Sequence, residues 1–246
     1  MSLPVQLTKN PLVSVIFEIR FDSAVPMSSV LPGHFYSNFK DTKISKTPHA
    51  EIPDVIRQSD PQFAYVPMVN MTWGSYHVGI GDKVLMLTCM MPYPGWLEFS
   101  KKIKELISYF SQHEFNVRVE RFSLKYVDLI KYQSGDDVSQ LLNFNVKIKD
   151  DNVDLKYTQF RTEKHTDKVV TIMQFLGQAE AQLNDGLSEF GFIIDIDSIM
   201  PIDNISLQDL NKIFDDELNF LHLETKESFF NFISSEGLDY LGAKYE

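Results

Sequence analysis

The strongest constraint on the fold is a stretch of alternating apolar and polar residues near the beginning of the chain. Val13, Val15, Phe17, Ile19 and Phe21 occupy every second position over nine residues. Successive side chains of a β-strand point to opposite faces, so this spacing indicates a strand that is buried on one face only.

The residues after this strand predict a short helix, three further strands and a long helix. Leu31, Phe35 and Phe39 are spaced by fours and mark the short helix, and residues 41–61, with three prolines, are predicted to be a loop. Gly81 and Asp82 predict a hairpin turn between the last two strands. The strands are predicted at residues 64–68, 71–79 and 84–91, and the long helix at residues 96–110.

The same order of elements is predicted again in the rest of the chain. Asn184, Asp185 and Gly186 are a strong hairpin-turn signal between the last two strands of this half. The predicted elements are a strand at 117–132, a short helix at 138–144, strands at 154–162, 169–183 and 190–198, and helices at 207–221 and 226–233.

The sequence therefore predicts an α+β fold made of two similar halves. Each half reads strand, short helix, three strands and long helix, with antiparallel or mixed sheets and the helices packed on one face. The predicted boundaries are residues 1–115 and 116–246, and the alternative is one continuous domain. Corresponding features lie ~100 to ~110 residues apart, a spacing suited to a duplicated domain rather than to a solenoid repeat.

Charge is distributed unevenly along the chain. Residues 1–133 carry 14 Lys and Arg against 12 Asp and Glu, a net charge of +2, whereas residues 134–246 carry 9 against 22, a net charge of −13. An acidic half repels phosphate backbones, so nucleic-acid binding is disfavoured.

The cellular compartment and the need for a cofactor are predicted from motifs that the sequence lacks. A single cysteine, Cys89, excludes an intramolecular disulfide and fits a reducing compartment. The first ten residues do not read as a signal peptide, and no apolar stretch has the length of a membrane span. We therefore expect a cytoplasmic protein without a membrane segment. The histidines are not spaced as zinc ligands and no phosphate-binding or dinucleotide-binding loop is present, so no metal or cofactor is predicted.

Five short motifs in a fixed order carry a family resemblance. They are Val15–Phe21, Tyr93–Trp96, Leu124–Asp128, Ile194–Asp197 and Phe229–Phe232. In this order and over nearly the whole chain, the sequence resembles a sporadically distributed family of uncharacterised bacterial proteins. The resemblance implies a bacterial cytoplasmic protein of accessory or mobile-element origin, and it supplies no catalytic residues.

Charged side chains recur on the first strand of each predicted half. Glu18 and Arg20 share the polar face of one strand, while Arg121 and Lys125 share one face of the other. If these strands pack together, the basic side chains could hold a carboxylate or phosphate ligand. The alternatives are an internal salt-bridge network, such as Glu18 with Lys125, or simple exposure to solvent.

Two further features are candidate binding positions. Asp195 and Asp197 stand two apart on a predicted strand, so their carboxylates could hold a divalent cation or act as acid and base. The alternative is a solvated strand face opposite Ile194 and Ile196. Tyr93, in the segment that leads into the long helix, is an aromatic candidate for contact with a ligand or partner.

The leading functional hypothesis is a non-catalytic binding module for a protein partner or a small anionic ligand. The second is a divalent-metal-assisted hydrolase or phosphotransfer enzyme that uses Asp195 and Asp197. The third is a structural role as a homodimer formed through an edge strand. The fold does not discriminate among the three, because function depends on sites.

Overall fold

The computed structural model describes residues 3–39, 41–112, 115–133, 137–182 and 188–245, and it contains strands and helices in alternating groups. The strands are β1 (Gln6–Leu7), β2 (Leu12–Ser23), β3 (Ile44–Lys46), β4 (Val69–Trp73), β5 (Tyr76–Ile80), β6 (Val84–Cys89), β7 (Val117–Lys131), β8 (Lys147–Ile148), β9 (Asp151–Asn152), β10 (Gln159–His165), β11 (Val170–Gln182), β12 (Ser188–Ser206) and β13 (Ala243–Lys244). The helices are α1 (Met27–Asn38), α2 (Asp54–Ser59), α3 (Trp96–Ser111), α4 (Leu207–Phe232) and α5 (Ser235–Leu241). The predicted α+β class is confirmed.

Nine of these strands form one large sheet. Its order is β10-β11-β12-β7-β2-β6-β5-β4-β3, and two small sheets pair β1 with β13 and β8 with β9. The pairings of β10 with β11, β2 with β6, and β3, β4, β5 and β6 with one another are antiparallel.

Strand β2 shows why the alternating pattern produces this arrangement. Val15, Phe17, Ile19 and Phe21 are fully buried, while Glu18 and Arg20 lie on the opposite face. Because successive side chains alternate across a strand, one apolar residue in two is enough to cover one face of the sheet.

The chain packs as two compact units. Unit A contains Val15–Leu124 and Ile199–Leu221, and unit B contains Met1–Ser14, Lys125–Ser198 and His222–Glu246. Both units are therefore assembled from segments that are distant in sequence. The predicted duplication, with its boundary between residues 115 and 116, stays a prediction.

The core of unit A is rich in aromatic side chains. The apolar stripe of α3 is buried as its spacing predicts, at Phe99, Ile103, Leu106, Ile107 and Phe110. Phe17 packs against Phe122 and Phe214, with ring centroids 6.3 and 5.9 Å away. Edge-to-face and tilted aromatic contacts of this kind add to the free energy gained by burying the rings.

The core of unit B is a separate apolar cluster on β7, β11, β12 and the end of α4. It includes Ile130, Phe175, Phe192, Ile194 and Phe229. The short helix α5 begins at the capping residue Ser234, whose side chain accepts a hydrogen bond from the Gly237 backbone N–H.

Several predicted bounds are wrong. Residues 64–68 are not a strand, and Gly74, with a positive φ of 62°, turns the predicted strand at 71–79 into the β4–β5 hairpin. Residues 41–61, predicted as a loop, contain β3, α2 and a 3-10 helix at Pro48–Glu51. In the second half, Asp154 caps a 3-10 helix at Leu155–Tyr157, which delays β10 to Gln159.

Two predictions concern the end of the second half. The helices predicted at 207–221 and 226–233 are one continuous helix, α4, of 26 residues. No Gly or Pro interrupts this segment, so the backbone hydrogen bonds continue through it. The predicted turn at Asn184, Asp185 and Gly186 lies outside the described residues.

Candidate functional site

Glu18, Arg20 and Arg121 come together in unit A as an internal salt-bridge network, in which the partner of Glu18 on β7 is Arg121 and not Lys125. The Arg20 Nε donates to Glu18 Oε1 at 2.6 Å, and the Arg121 Nη2 donates to the same oxygen at 2.8 Å. Glu18 is on β2 and Arg121 on β7, 103 residues further along the chain. Two guanidinium groups are therefore held by one carboxylate oxygen.

An aromatic side chain completes this group, which we call the arginine cluster: Glu18, Arg20, Tyr65 and Arg121. The Arg20 guanidinium carbon lies 4.3 Å from the centre of the Tyr65 ring, a cation–π geometry. The Tyr65 hydroxyl donates to Glu120 Oε2 at 2.9 Å. Burial, and then this hydrogen bond to Glu120, raise the pKa of Tyr65 above its usual value, so it stays protonated at neutral pH.

The arginine cluster contains more hydrogen-bond donors than acceptors. Each guanidinium carries five N–H groups, and the protein acceptors among the described residues engage only Arg20 Nε and Arg121 Nη2. The Arg121 Nε is buried and has no hydrogen-bond partner there. The Glu18 side chain is only 11% exposed, whereas those of Arg20 and Arg121 are 27% and 24% exposed. Both arginine side chains are therefore partly accessible to solvent, whereas the Arg121 Nε atom is not.

Lys125 and Asp195 form a second charged group, in unit B. The Lys125 Nζ lies 2.8 Å from Asp195 Oδ2, and the Gln174 side-chain amide donates to the same oxygen at 3.4 Å. The other oxygen, Asp195 Oδ1, is buried without a hydrogen-bond partner among the described residues. Asp195 is thus an ion-paired carboxylate of which one oxygen has hydrogen-bond partners and the other has none among the described residues.

Asp128, on β7, is a buried carboxyl outside the set of candidate site residues predicted from the sequence. Only 5% of its surface is exposed. Burial, together with the negative charge of Asp195, raises the pKa of Asp128 to about 8. At neutral pH the proton is therefore retained on Asp128, while Asp195 is paired with Lys125. The sequence signal was present, because Asp128 stands between Val127 and Leu129 in an apolar stretch.

Asp197 lies on β12, two residues beyond Asp195, on the face opposite Ile194 and Ile196. Both isoleucines are buried and Asp197 is half-buried, so the predicted alternation of this strand is present. Among the residues that the structure describes, no group of three or more His, Cys, Asp or Glu side chains is arranged to hold a metal ion.

Tyr93 is half-buried in unit A. Its ring lies edge-to-face on Phe99, with the centroids 5.9 Å apart. Gly95, with a φ of 97°, then precedes the first residue of α3. Trp96 is also half-buried, and its indole N–H donates to Asn219 Oδ1 at 3.3 Å.

Two surface cavities lie elsewhere. One, of about 500 Å³, is in unit A beside Trp73, Tyr76, Glu98 and Lys101. The other, of about 770 Å³, is in unit B and is lined by polar residues that include Asp137, Asn143, Asn152, Asp154 and Lys156. Neither of these two cavities is lined by a residue of the arginine cluster.

No protein-family model matches the chain, and no curated protein matches it. Within the described ranges, no helix has the length and apolar character needed to cross a membrane.

Proposed function

We propose that this chain is a non-catalytic binding module that recognises an anionic group, a carboxylate or a phosphate, through Arg20 and Arg121. The observation that carries the proposal is the surplus of guanidinium donors around a single carboxylate oxygen. Guanidinium groups bind carboxylates and phosphates through paired N–H donors, and such charge-assisted hydrogen bonds are stronger than neutral ones.

Electrostatics and preorganisation support the same proposal. Two positive charges share one negative charge, so the three side chains together carry a charge of +1. Tyr65 stacks on Arg20 and Glu18 fixes both guanidinium groups, which reduces the conformational entropy lost when a ligand binds. The anionic group can belong to a small metabolite or to an acidic segment of a protein partner.

The architecture is part of the proposal. We propose two similar halves with helices on one face, in a cytoplasmic protein of the bacterial family that the sequence resembles. The strand order supports this, because β12, β11 and β10 follow β7 outward in the sheet as β6, β5 and β4 follow β2. The single cysteine supports a reducing compartment.

Phosphate, succinate and a glutamate-rich peptide are the probes that test anion recognition. We expect at least one of them to bind the parent chain in isothermal titration calorimetry and to raise its melting temperature, since a ligand that binds only the folded state stabilises it. Arg121→Gln removes one guanidinium and should weaken that binding at least about tenfold, the loss expected for a charge-assisted hydrogen bond. Arg121→Lys keeps the charge but removes the paired donors, so it should not restore full affinity.

Arg118→Gln is the matched control, because Arg118 lies on the same strand and is exposed. It should leave binding unchanged. Binding of phosphate or succinate would indicate a small ligand, and binding of the peptide alone would indicate a protein partner. The proposal fails if none of the three probes binds the parent chain, or if Arg118→Gln and Arg121→Gln weaken binding equally.

The competing proposal is a divalent-metal-assisted hydrolase or phosphotransfer enzyme that uses Asp195 and Asp197. One observation favours it: the raised pKa of Asp128 beside Asp195, since carboxyls with displaced pKa values are common at acid–base sites. The Lys125 ammonium group opposes it, because its positive charge already neutralises Asp195 through Oδ2 and weakens the attraction for a cation.

Melting curves with Mg²⁺ or Mn²⁺ separate these two proposals. We expect millimolar Mg²⁺ and Mn²⁺ to leave the melting temperature of the parent chain unchanged within about 1 °C, because Lys125 neutralises Asp195. A metal-dependent rise that Asp197→Asn abolishes would support the enzyme instead. Glu227→Gln, which removes an exposed carboxylate on α4, is the control for nonspecific effects of the metal.

A further inference from the structure

Strand β10, which belongs to unit B, is one edge of the nine-stranded sheet. It pairs with β11 along all seven residues, from Gln159 to His165, and no described strand pairs with its outer side. All of its residues except Phe160 are exposed. An edge of this length offers a row of backbone N–H and C=O groups to another strand.

Backbone hydrogen bonds determine which peptide groups face outward. Gly177 N–H donates to the Thr158 carbonyl and Thr166 N–H donates to the Val169 carbonyl, each at 2.9 Å. Peptide groups alternate in direction along an antiparallel strand, so the even-numbered residues of β10 face β11. The N–H and C=O groups of Arg161 and Glu163 therefore point away from the sheet.

We infer that β10 is a homodimer interface, in which two copies of this chain pair their edges antiparallel about a two-fold axis at Thr162. Arg161 of each copy then lies directly opposite Glu163 of the other, and both residues have outward-facing peptide groups. Phe160 lies opposite Lys164, so the lysine stem packs on an aromatic ring.

Charge selects this register over its neighbours. Pairing centred on Arg161 would set two arginines opposite each other, and pairing centred on Glu163 would set two glutamates opposite each other. Like charges directly opposite in a sheet destabilise it, whereas opposite charges contribute favourably. If the pairing were shifted by one residue, odd-numbered residues of one copy would lie opposite even-numbered residues of the other. The peptide groups of the even-numbered residues face β11, so the hydrogen bonds between the two copies would be lost.

Charged residues at a sheet edge often prevent pairing. In β10 the charged residues prevent pairing only in the registers that place like charges opposite each other. This is because Arg161 and Glu163 carry opposite charges and are two residues apart on one face. They form an ion pair within the chain at 2.5 Å, and His165 lies 3.2 Å from Glu163. The opposite edge strand differs, since β3 has only three residues and Pro48 follows it closely. A strand that short is a poor template for pairing.

The dimer is expected to be weak. Seven paired residues bury less surface than the ~1,200 Å² of a stable interface, so we expect a dissociation constant of about 100 μM that rises with salt. Sedimentation velocity on the intact chain over a concentration series from about 10 μM to 1 mM spans this value. A parent chain that stays monomeric throughout overturns the inference.

Single substitutions and their combination test the register. Arg161→Glu and Glu163→Arg each set like charges across the interface, so each should weaken the dimer at least about tenfold. The double variant Arg161→Glu/Glu163→Arg reverses both Arg–Glu pairs, the one within a copy and the one between copies, and should dimerise like the parent. Glu227→Arg makes the same charge change on α4 and should have no effect.

Mixing the two single variants is the sharpest test. The Arg161→Glu chain carries two carboxylates in β10 and the Glu163→Arg chain carries two guanidinium groups, so every cross-chain pair in the mixed dimer is attractive. We expect the mixture to associate more tightly than the parent, while each variant alone is largely monomeric. Equal dissociation constants for the mixture and for the separate variants, or a parent dimer insensitive to all of them, would exclude this interface.

Discussion

Asp128→Asn is expected to raise the free energy of unfolding by about 4 kcal/mol at pH 7. The carboxyl has a pKa of about 8 in the folded chain, compared with 3.8 for an unperturbed aspartate. At pH values between 3.8 and about 8, Asp128 is ionised in the unfolded chain but still protonated in the folded chain. The free energy of unfolding therefore falls as the pH rises through this range. The side-chain amide introduced by Asp128→Asn does not ionise, so its burial carries no such pH-dependent cost.

Urea unfolding as a function of pH measures the effect. The stability difference between Asp128→Asn and the parent should be absent below about pH 4 and should grow until about pH 8, because only the parent carries this ionisation. Asp22→Asn is the control of opposite sign, because Lys83 lowers the pKa of the exposed Asp22. A parent and an Asp128→Asn variant that show the same pH dependence would contradict the protonated state of Asp128.

Glu18→Ala should produce the largest loss of stability among changes at the arginine cluster, about 3 kcal/mol. The substitution leaves two guanidinium groups close together without their shared counter-charge. Their mutual repulsion and their incomplete hydration both oppose folding. Combining Glu18→Ala with Arg121→Gln removes one of the two charges, so the double variant should lose less stability than the sum of the single changes.

Anions should partly restore the Glu18→Ala variant. Acetate or phosphate can occupy the space of the missing carboxylate, so either should raise the melting temperature of Glu18→Ala more than that of the parent. Lys104→Ala, which removes the ion pair with Asp215 elsewhere in unit A, controls for general effects of salt. If Glu18→Ala lowered the free energy of unfolding by less than about 1 kcal/mol, the ion pairs of the arginine cluster would contribute no more than ordinary surface ion pairs do.

Local patterns predicted the faces of the elements well. The alternation along β2 placed Phe17 and Ile19 in the core and Glu18 and Arg20 on the opposite face, because the side-chain period of a strand is a local property. The stripe along α3 was predicted for the same reason, with a period of 3.6 residues. Cys89, placed among apolar neighbours, is buried, which raises the pKa of its thiol.

Element bounds were predicted less well, because they depend on single residues with competing roles. Asp154 accepts a hydrogen bond from the Lys156 backbone N–H and starts a 3-10 helix where a strand was expected. Strand β12 continues through Pro201 to Ser206, although proline usually ends a strand. The pattern of apolar and polar residues alone does not decide where such a strand or 3-10 helix begins and ends.

By itself, the sequence determined the fold class, the face of β2 on which Glu18 and Arg20 lie, and the uneven distribution of charge. Only the tertiary structure decided that Glu18 binds Arg121, that Lys125 binds Asp195 and that Asp128 retains a proton. Periodicity is a property of neighbouring residues, so it can be read along the chain. An ion pair or a displaced pKa depends on strand register and on burial by residues far away in sequence, and neither is encoded in any local pattern.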